Sequence, residues 1–193
     1  MKIKFTLVLL LLSIATSLVA QKYTIDSGHS TVQIQVERFG VVDVVGRFKD
    51  VSGSFLFDAN DITKTTAKAV IKVASYDANN TGGEDAVKSK AFLDVSAFPE
   101  ITFNGTQVVQ KEDVDYLIGD LTIHGVSNHI ELPFTIKGPL LDLPTQKESI
   151  AFKASITINR QDYGIGFDRK LPNGTSLVGD EVKITLIILA IAE

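Results

Sequence analysis

The sequence predicts an all-β fold of antiparallel strands, either a two-sheet sandwich or a closed up-and-down barrel. Three observations predict it. From Thr31 onward, apolar and polar residues alternate in run after run, the mark of strands with one buried and one wetted face. Most runs are separated by short polar turns, which favour sequential antiparallel neighbours. Helical periodicity is confined to Glu84–Leu93, long enough for one or two turns.

The first twenty residues stand apart from this pattern. Lys2 and Lys4 precede an apolar stretch from Phe5 to Ile14, and Ser17-Leu18-Val19-Ala20 ends in a small residue before Gln21. This is the layout of a cleavable secretory signal peptide, and it places the mature protein in the periplasm or outside the cell. The apolar stretch is short for a membrane span of about 20 residues. Residues 21–193 then form one domain of 173 residues carrying 17 Lys and Arg against 23 Asp and Glu, a net charge of −6. Such a balance gives no support for nucleic-acid binding or attraction to anionic membranes. With no cysteine, there is no disulfide framework, thiol nucleophile or Cys-ligated metal, so burial alone must stabilise the fold.

The strands follow in order. Thr31–Arg38 sets Val32, Ile34 and Val36 against Gln33, Gln35 and Glu37. Val41–Phe48 and Ser54–Phe57 come next, split by Asp50-Val51-Ser52-Gly53, and then Thr66–Ala74. Ile101–Gln110, Tyr116–Ile123, His129–Lys137, Ile150–Asn159 and a final run from Glu181 complete about eight or nine strands. His124 and His129 flank Gly125-Val126-Ser127-Asn128, which reads as a hairpin turn.

The residues that could carry chemistry are few. Eleven Phe and four Tyr, with no Trp, would fill an ordinary β core or, in part, line a tunnel for a hydrocarbon chain. Asp26, His29 and Ser30 are neighbours in one turn and cannot converge as a catalytic triad does. An Asx or Ser turn is the better reading, with His29 tying the N-terminus to the sheet and contact with a ligand as the alternative. Arg160 and Asp162 stand two apart, and either a closing role at a sheet end or contact with a polar head group fits Arg160. The three histidines show no metal-ligand spacing, so no metal or other cofactor is expected.

Several of these stretches carry a resemblance. Asn159-Arg160-Gln161-Asp162-Tyr163-Gly164-Ile165-Gly166, followed by Val178-Gly179-Asp180-Glu181-Val182, resembles the closing motif of the YceI-like, polyisoprenoid-binding proteins. Asp26-Ser27-Gly28-His29-Ser30, the Phe39-Gly40 to Gly53-Ser54-Phe55 run, Phe98-Pro99-Glu100-Ile101-Thr102-Phe103 and Gly119-Asp120-Leu121-Thr122-Ile123 are similar to further family motifs, in the family's order. The resemblance covers essentially the whole mature chain. It implies a lipocalin-like antiparallel up-and-down β-barrel of about eight strands with one short helix and an internal cavity. Eight strands enclose a space just able to hold one small ligand.

The implied partner is an amphipathic, isoprenoid-like long-chain lipid. The candidate ligand-binding residues are Phe39, Phe48, Phe55, Phe92, Phe98, Phe103, Phe134, Tyr163 and Phe167, with His29 and Arg160 as polar contacts. One departure concerns the polar end. The family pattern Arg-Asp-x-His-Leu-Lys/Arg-Ser here reads Gly83-Glu84-Asp85-Ala86-Val87-Lys88-Ser89, so the Arg and His positions hold Gly83 and Ala86. Two other readings remain at this point. One is a hydrolase or isomerase using His29, Asp162 and Tyr163; the other is a structural envelope protein with a filled core. A closed barrel leaves no strand edge that demands a partner, yet a homodimer is compatible with the sequence.

Overall fold

The computed structural model describes residues 20–193; the expected signal peptide, all but Ala20, lies outside the described residues. Strands β1 Gln21–Ile25, β2 Thr31–Arg38, β3 Val42–Phe48, β4 Val51–Phe57, β5 Thr66–Lys72 and β6 Tyr76–Asp77 form the first half. Helix α1 Thr81–Lys88 follows, then β7 Glu100–Lys111, β8 Val114–Ile123, β9 Val126–Asp142, β10 Lys147–Asn159 and β11 Val178–Ala192.

Three successive strand pairs act as single broken staves. β1 pairs with β4 and β2 with β3, while β4 pairs with β5 and β3 with β6. Counting each broken stave once gives eight, and every stave is antiparallel to the next in sequence. The ring closes where the last strand meets the first, with Ala192 opposite Tyr23 and Leu186 opposite Val32. The fold is therefore a closed up-and-down barrel rather than a sandwich.

The breaks lie side by side and serines stitch them together. At a kink, backbone groups lose their ladder partners and must find others. Ser27 Oγ donates to Lys49 O and accepts from Val51 N–H at 3.3 and 3.4 Å. Ser75 Oγ accepts from Asp50 N–H at 3.1 Å. Ser30 Oγ serves both backbone groups of Leu189, accepting from its N–H at 3.0 Å and donating to its carbonyl at 3.3 Å. Asp26 caps the single 3-10 turn Ser27–His29 by accepting from Gly28 N–H at 2.9 Å. The expected Asx turn is there, but the serines rather than His29 tie it to the barrel.

Some boundaries differ from the sequence expectation. The helix starts at Thr81 with Asn80 as its cap; Gly82 and Gly83 hide it because glycine is a poor helix former. The β8–β9 turn is the two-residue His124-Gly125, both at positive φ, as a hairpin of this length requires. It is shorter than the expected Gly125–Asn128 segment. His124 and His129 therefore do not face each other: His124 packs on Phe98 at 4.4 Å, and His129 pairs with Asp120 at 2.9 Å. Strand β1 and the two-residue β6 were not anticipated.

Candidate ligand cavity

Alternation along each stave turns one set of side chains inward. Val44 and Phe48 of β3, Ala67, Ala69 and Ile71 of β5, and Ile184, Leu186 and Ile188 of β11 are such sets. They do not meet in the middle. They surround a cavity of about 590 Å³ whose wall is overwhelmingly apolar. Small inward residues help to keep it open: Ala67 and Ala69 stand where larger side chains would project.

One end is sealed by aromatic packing. Phe55 and Phe152 line the cavity floor 5.1 Å apart, and Phe134 stacks on Phe152 from behind at 5.1 Å. Tyr23 and Phe57 pack edge-on at 6.2 Å, both buried. The other end is the mouth, covered by α1, the segment that follows it and the loop after β10. Phe92 and Phe167 meet there at 4.8 Å, and Gly82, Gly83 and Ala86 of α1 line the same opening. The two departures from the family pattern thus sit on the cavity itself.

Arg160 locks the mouth. It opens the 3-10 turn Arg160–Tyr163, which ends at Gly164 in a left-handed conformation, φ 73°. The side chain is 5% exposed. Its Nε donates to Gly179 O at 3.0 Å and its guanidinium to Ile165 O, while one terminal nitrogen reaches Phe167 O at 2.8 Å and Asp180 Oδ1 at 2.7 Å. One cation thereby holds the loop 164–167 against the start of β11. Asp162, two residues further on, takes no part in this network. Tyr163 is buried beside it and lines the cavity, and burial pushes its hydroxyl pKa up.

Of the sequence-predicted residues, Phe39, Phe48, Phe55, Phe92, Phe103, Arg160, Tyr163 and Phe167 are brought to the cavity. Phe134 lies behind the floor, Phe98 packs on His124 outside the lining, and His29 sits at the outer kink with its ring nitrogen 2.7 Å from Asp26. The enzyme reading fails on geometry. His29 lies at the Leu189 level of β11 and Asp162 beyond the Asn159–Glu181 pair, about 25 Å of strand apart at roughly 3.3 Å per residue. Among the described residues, no group of three potential ligand side chains gathers to hold a metal. Sequence reasoning missed Tyr76, which is buried, lines the cavity, and lies across Gly46, where a methyl group would overlap its hydroxyl. The glycine between inward-facing Val44 and Phe48 was the available signal.

A closed antiparallel barrel of eight staves with an apolar interior and a mouth held by Arg160 defines the class: a hollow up-and-down β-barrel. The chain belongs to the YceI-like family, whose domain matches residues 23–190. A UPF0312 protein of Pseudomonas aeruginosa is 32% identical over 154 residues, covering 77% of this chain and 78% of the relative. One from Yersinia enterocolitica is 31% identical over 156 residues, covering 80% and 81%. Among solved structures, Burkholderia cenocepacia BcnA aligns with TM-score 0.73 and 25% identity over 86% of this chain and 98% of its own. A polyisoprenoid binding domain from Saccharophagus degradans shares the fold at TM-score 0.69 and 14% identity, covering 91% and 99%.

Proposed function

We propose that this protein encloses the hydrocarbon chain of an amphipathic, isoprenoid-like lipid and acts as a carrier, store or sensor of that lipid in the periplasm or outside the cell. The observation that carries the reading is the apolar cavity of about 590 Å³. At roughly 30 Å³ for each methylene- or water-sized group, it holds on the order of 20 carbons. Each buried methylene contributes about 0.8 kcal/mol, so a chain of that length gains about 16 kcal/mol gross, offset by at least ~4 kcal/mol for association and ordering. The resulting affinity is enough to survive purification. Family membership supports a binding role over catalysis, and the signal-peptide pattern supports export. Among the described residues, no helix is long and apolar enough to cross a membrane.

Ala69 provides the test, since it lines the cavity and is only partly buried. Protein purified without detergent is extracted with solvent, and the lipid is quantified by mass spectrometry. Ala69→Phe should carry less than half the lipid of the parent, or a shorter chain. An equal load of the same lipid in the folded variant contradicts the reading.

A further inference from the structure

Surface turns are built mainly from small and polar residues. The turn between β9 and β10 breaks that pattern, because Leu140, Leu141 and Leu143 are 71%, 58% and 72% exposed. Leu140 and Leu141 are consecutive in β9, opposite Ser149 and Glu148 of β10, and successive strand residues point to opposite faces. The hairpin tip is therefore apolar on both sides and at its end. It projects from the sealed end of the barrel. The thirteen residues of β10 separate it from Arg160 at the mouth, about 40 Å at roughly 3.3 Å per residue.

The polar groups of the tip are answered from within. Ser149 Oγ donates to Leu140 O at 3.2 Å, Gln146 Nε2 to Leu143 O at 2.6 Å, and Gln146 N–H to Asp142 O at 2.8 Å. The Asp142 carboxylate accepts from the Thr145 N–H at 3.0 Å and from its hydroxyl at 2.6 Å. A turn bonded internally in this way can leave water without stranding its backbone. Lys137 and Lys147 balance Asp142 and Glu148, so the tip carries no net charge although residues 21–193 are acidic.

The shape of the tip selects its occupant. Three leucines about two-thirds exposed offer roughly 250 Å² of apolar surface, far below the ~800 Å² that each partner of a stable protein complex contributes. A flat partner would cover one face and leave the other wet. Pairing with the β9 edge of a second copy is blunted as well. Beyond Phe134 that edge carries the exposed Lys137 and Pro139, and proline has no N–H to offer. A lipid surface surrounds a narrow tip on every side.

We propose that the β9–β10 tip is a membrane anchor: Leu140, Leu141 and Leu143 insert among the head groups of a lipid surface and stand the barrel on its sealed end, with the mouth facing the water. The three side chains hold about 12 carbons, slightly fewer than a myristoyl chain, whose hold alone is marginal and reversible. Docking is accordingly reversible and driven by apolar insertion rather than by charge. It does not depend on what the cavity holds.

The test is co-flotation of the mature protein with phosphatidylcholine vesicles, with and without phosphatidylglycerol, at low and at high salt. The protein should float with both, and salt should leave the bound fraction unchanged, since no charge is being screened. Replacing all three leucines together, Leu140→Ser, Leu141→Ser and Leu143→Ser, should lower the bound fraction about tenfold. Val41→Ser with Val42→Ser, exposed positions at the mouth end, should leave it unchanged. The chain has no Trp, so Leu143→Trp supplies a lone reporter whose emission should shift to the blue on addition of vesicles. That reading keeps the test available if the serine variant does not fold. No flotation, flotation equal in the folded serine variant, or an unshifted Trp emission overturns the anchor. Flotation that needs phosphatidylglycerol and vanishes at high salt overturns apolar insertion, and loss of flotation in the valine variant overturns the orientation. A dimer abolished by the serine substitutions, without flotation of the parent, assigns the tip to a second copy and overturns the proposal.

Discussion

Arg160 is the residue on which the mouth depends, because its guanidinium answers three backbone carbonyls and one carboxylate from two chain segments. Its removal leaves those acceptors without a partner, and a flexible Lys cannot reproduce the planar fork. Arg160→Lys and Arg160→Met should each destabilise the protein by about 3 kcal/mol, measured by urea unfolding; a loss below ~1 kcal/mol would mean the loop finds other partners. Asp26 makes a pH prediction. The hydrogen bond from His29, aided by the Gly28 N–H, holds its carboxyl below the ordinary 3.8. A depressed folded value contributes stability that is full above the unfolded pKa and is lost as pH falls through the folded one. Thermal stability should therefore fall below about pH 3.8, and Asp26→Asn should flatten that decline. At this scale the sequence was uneven. The Asx turn at Asp26 is local, so four consecutive residues reveal it. The partners of Arg160 lie up to twenty residues away, and only the register of β11 brings Asp180 to the guanidinium.

Among the elements, the kinked seam breaks three long strands into staves of two segments each that curve round the cavity. Ser30 is its stitch to the last strand, since one hydroxyl bonds both backbone groups of Leu189. Ser30→Ala should cost about 1–3 kcal/mol and accelerate hydrogen exchange at the Leu189 amide beyond that of its β11 neighbours. Uniform acceleration along β11 would point to general loosening instead. Strand existence was legible wherever three or more apolar residues alternate, as in β2 and β10. β1 escaped because Tyr23 and Ile25 are its only inward residues. β9 runs past Lys137 through Gly138-Pro139, a pair that reads as a breaker. Proline is tolerated there because β8 pairs with β9 only up to Phe134, leaving one edge of β9 with no ladder bond to lose.

For the whole molecule, periodicity led to a choice between sandwich and barrel but not beyond it, since both present the same alternating faces. The resemblance pointed to the barrel, and the contact that settles it, Tyr23 opposite Ala192, joins chain ends that no local pattern links. Hollowness is a sum over all staves: Ala67 and Ala69 line the cavity with small side chains, while the space over Gly46 is taken by Tyr76. The central claim is that this room holds a lipid chain. Native mass spectrometry of protein purified from the cell envelope without detergent, with solvent extraction of the same sample, tests it most directly. The account predicts one discrete added mass per chain that extracts as a prenyl-type lipid of about 20 carbons. A clean unliganded mass, unchanged after incubation with a total lipid extract, would contradict it.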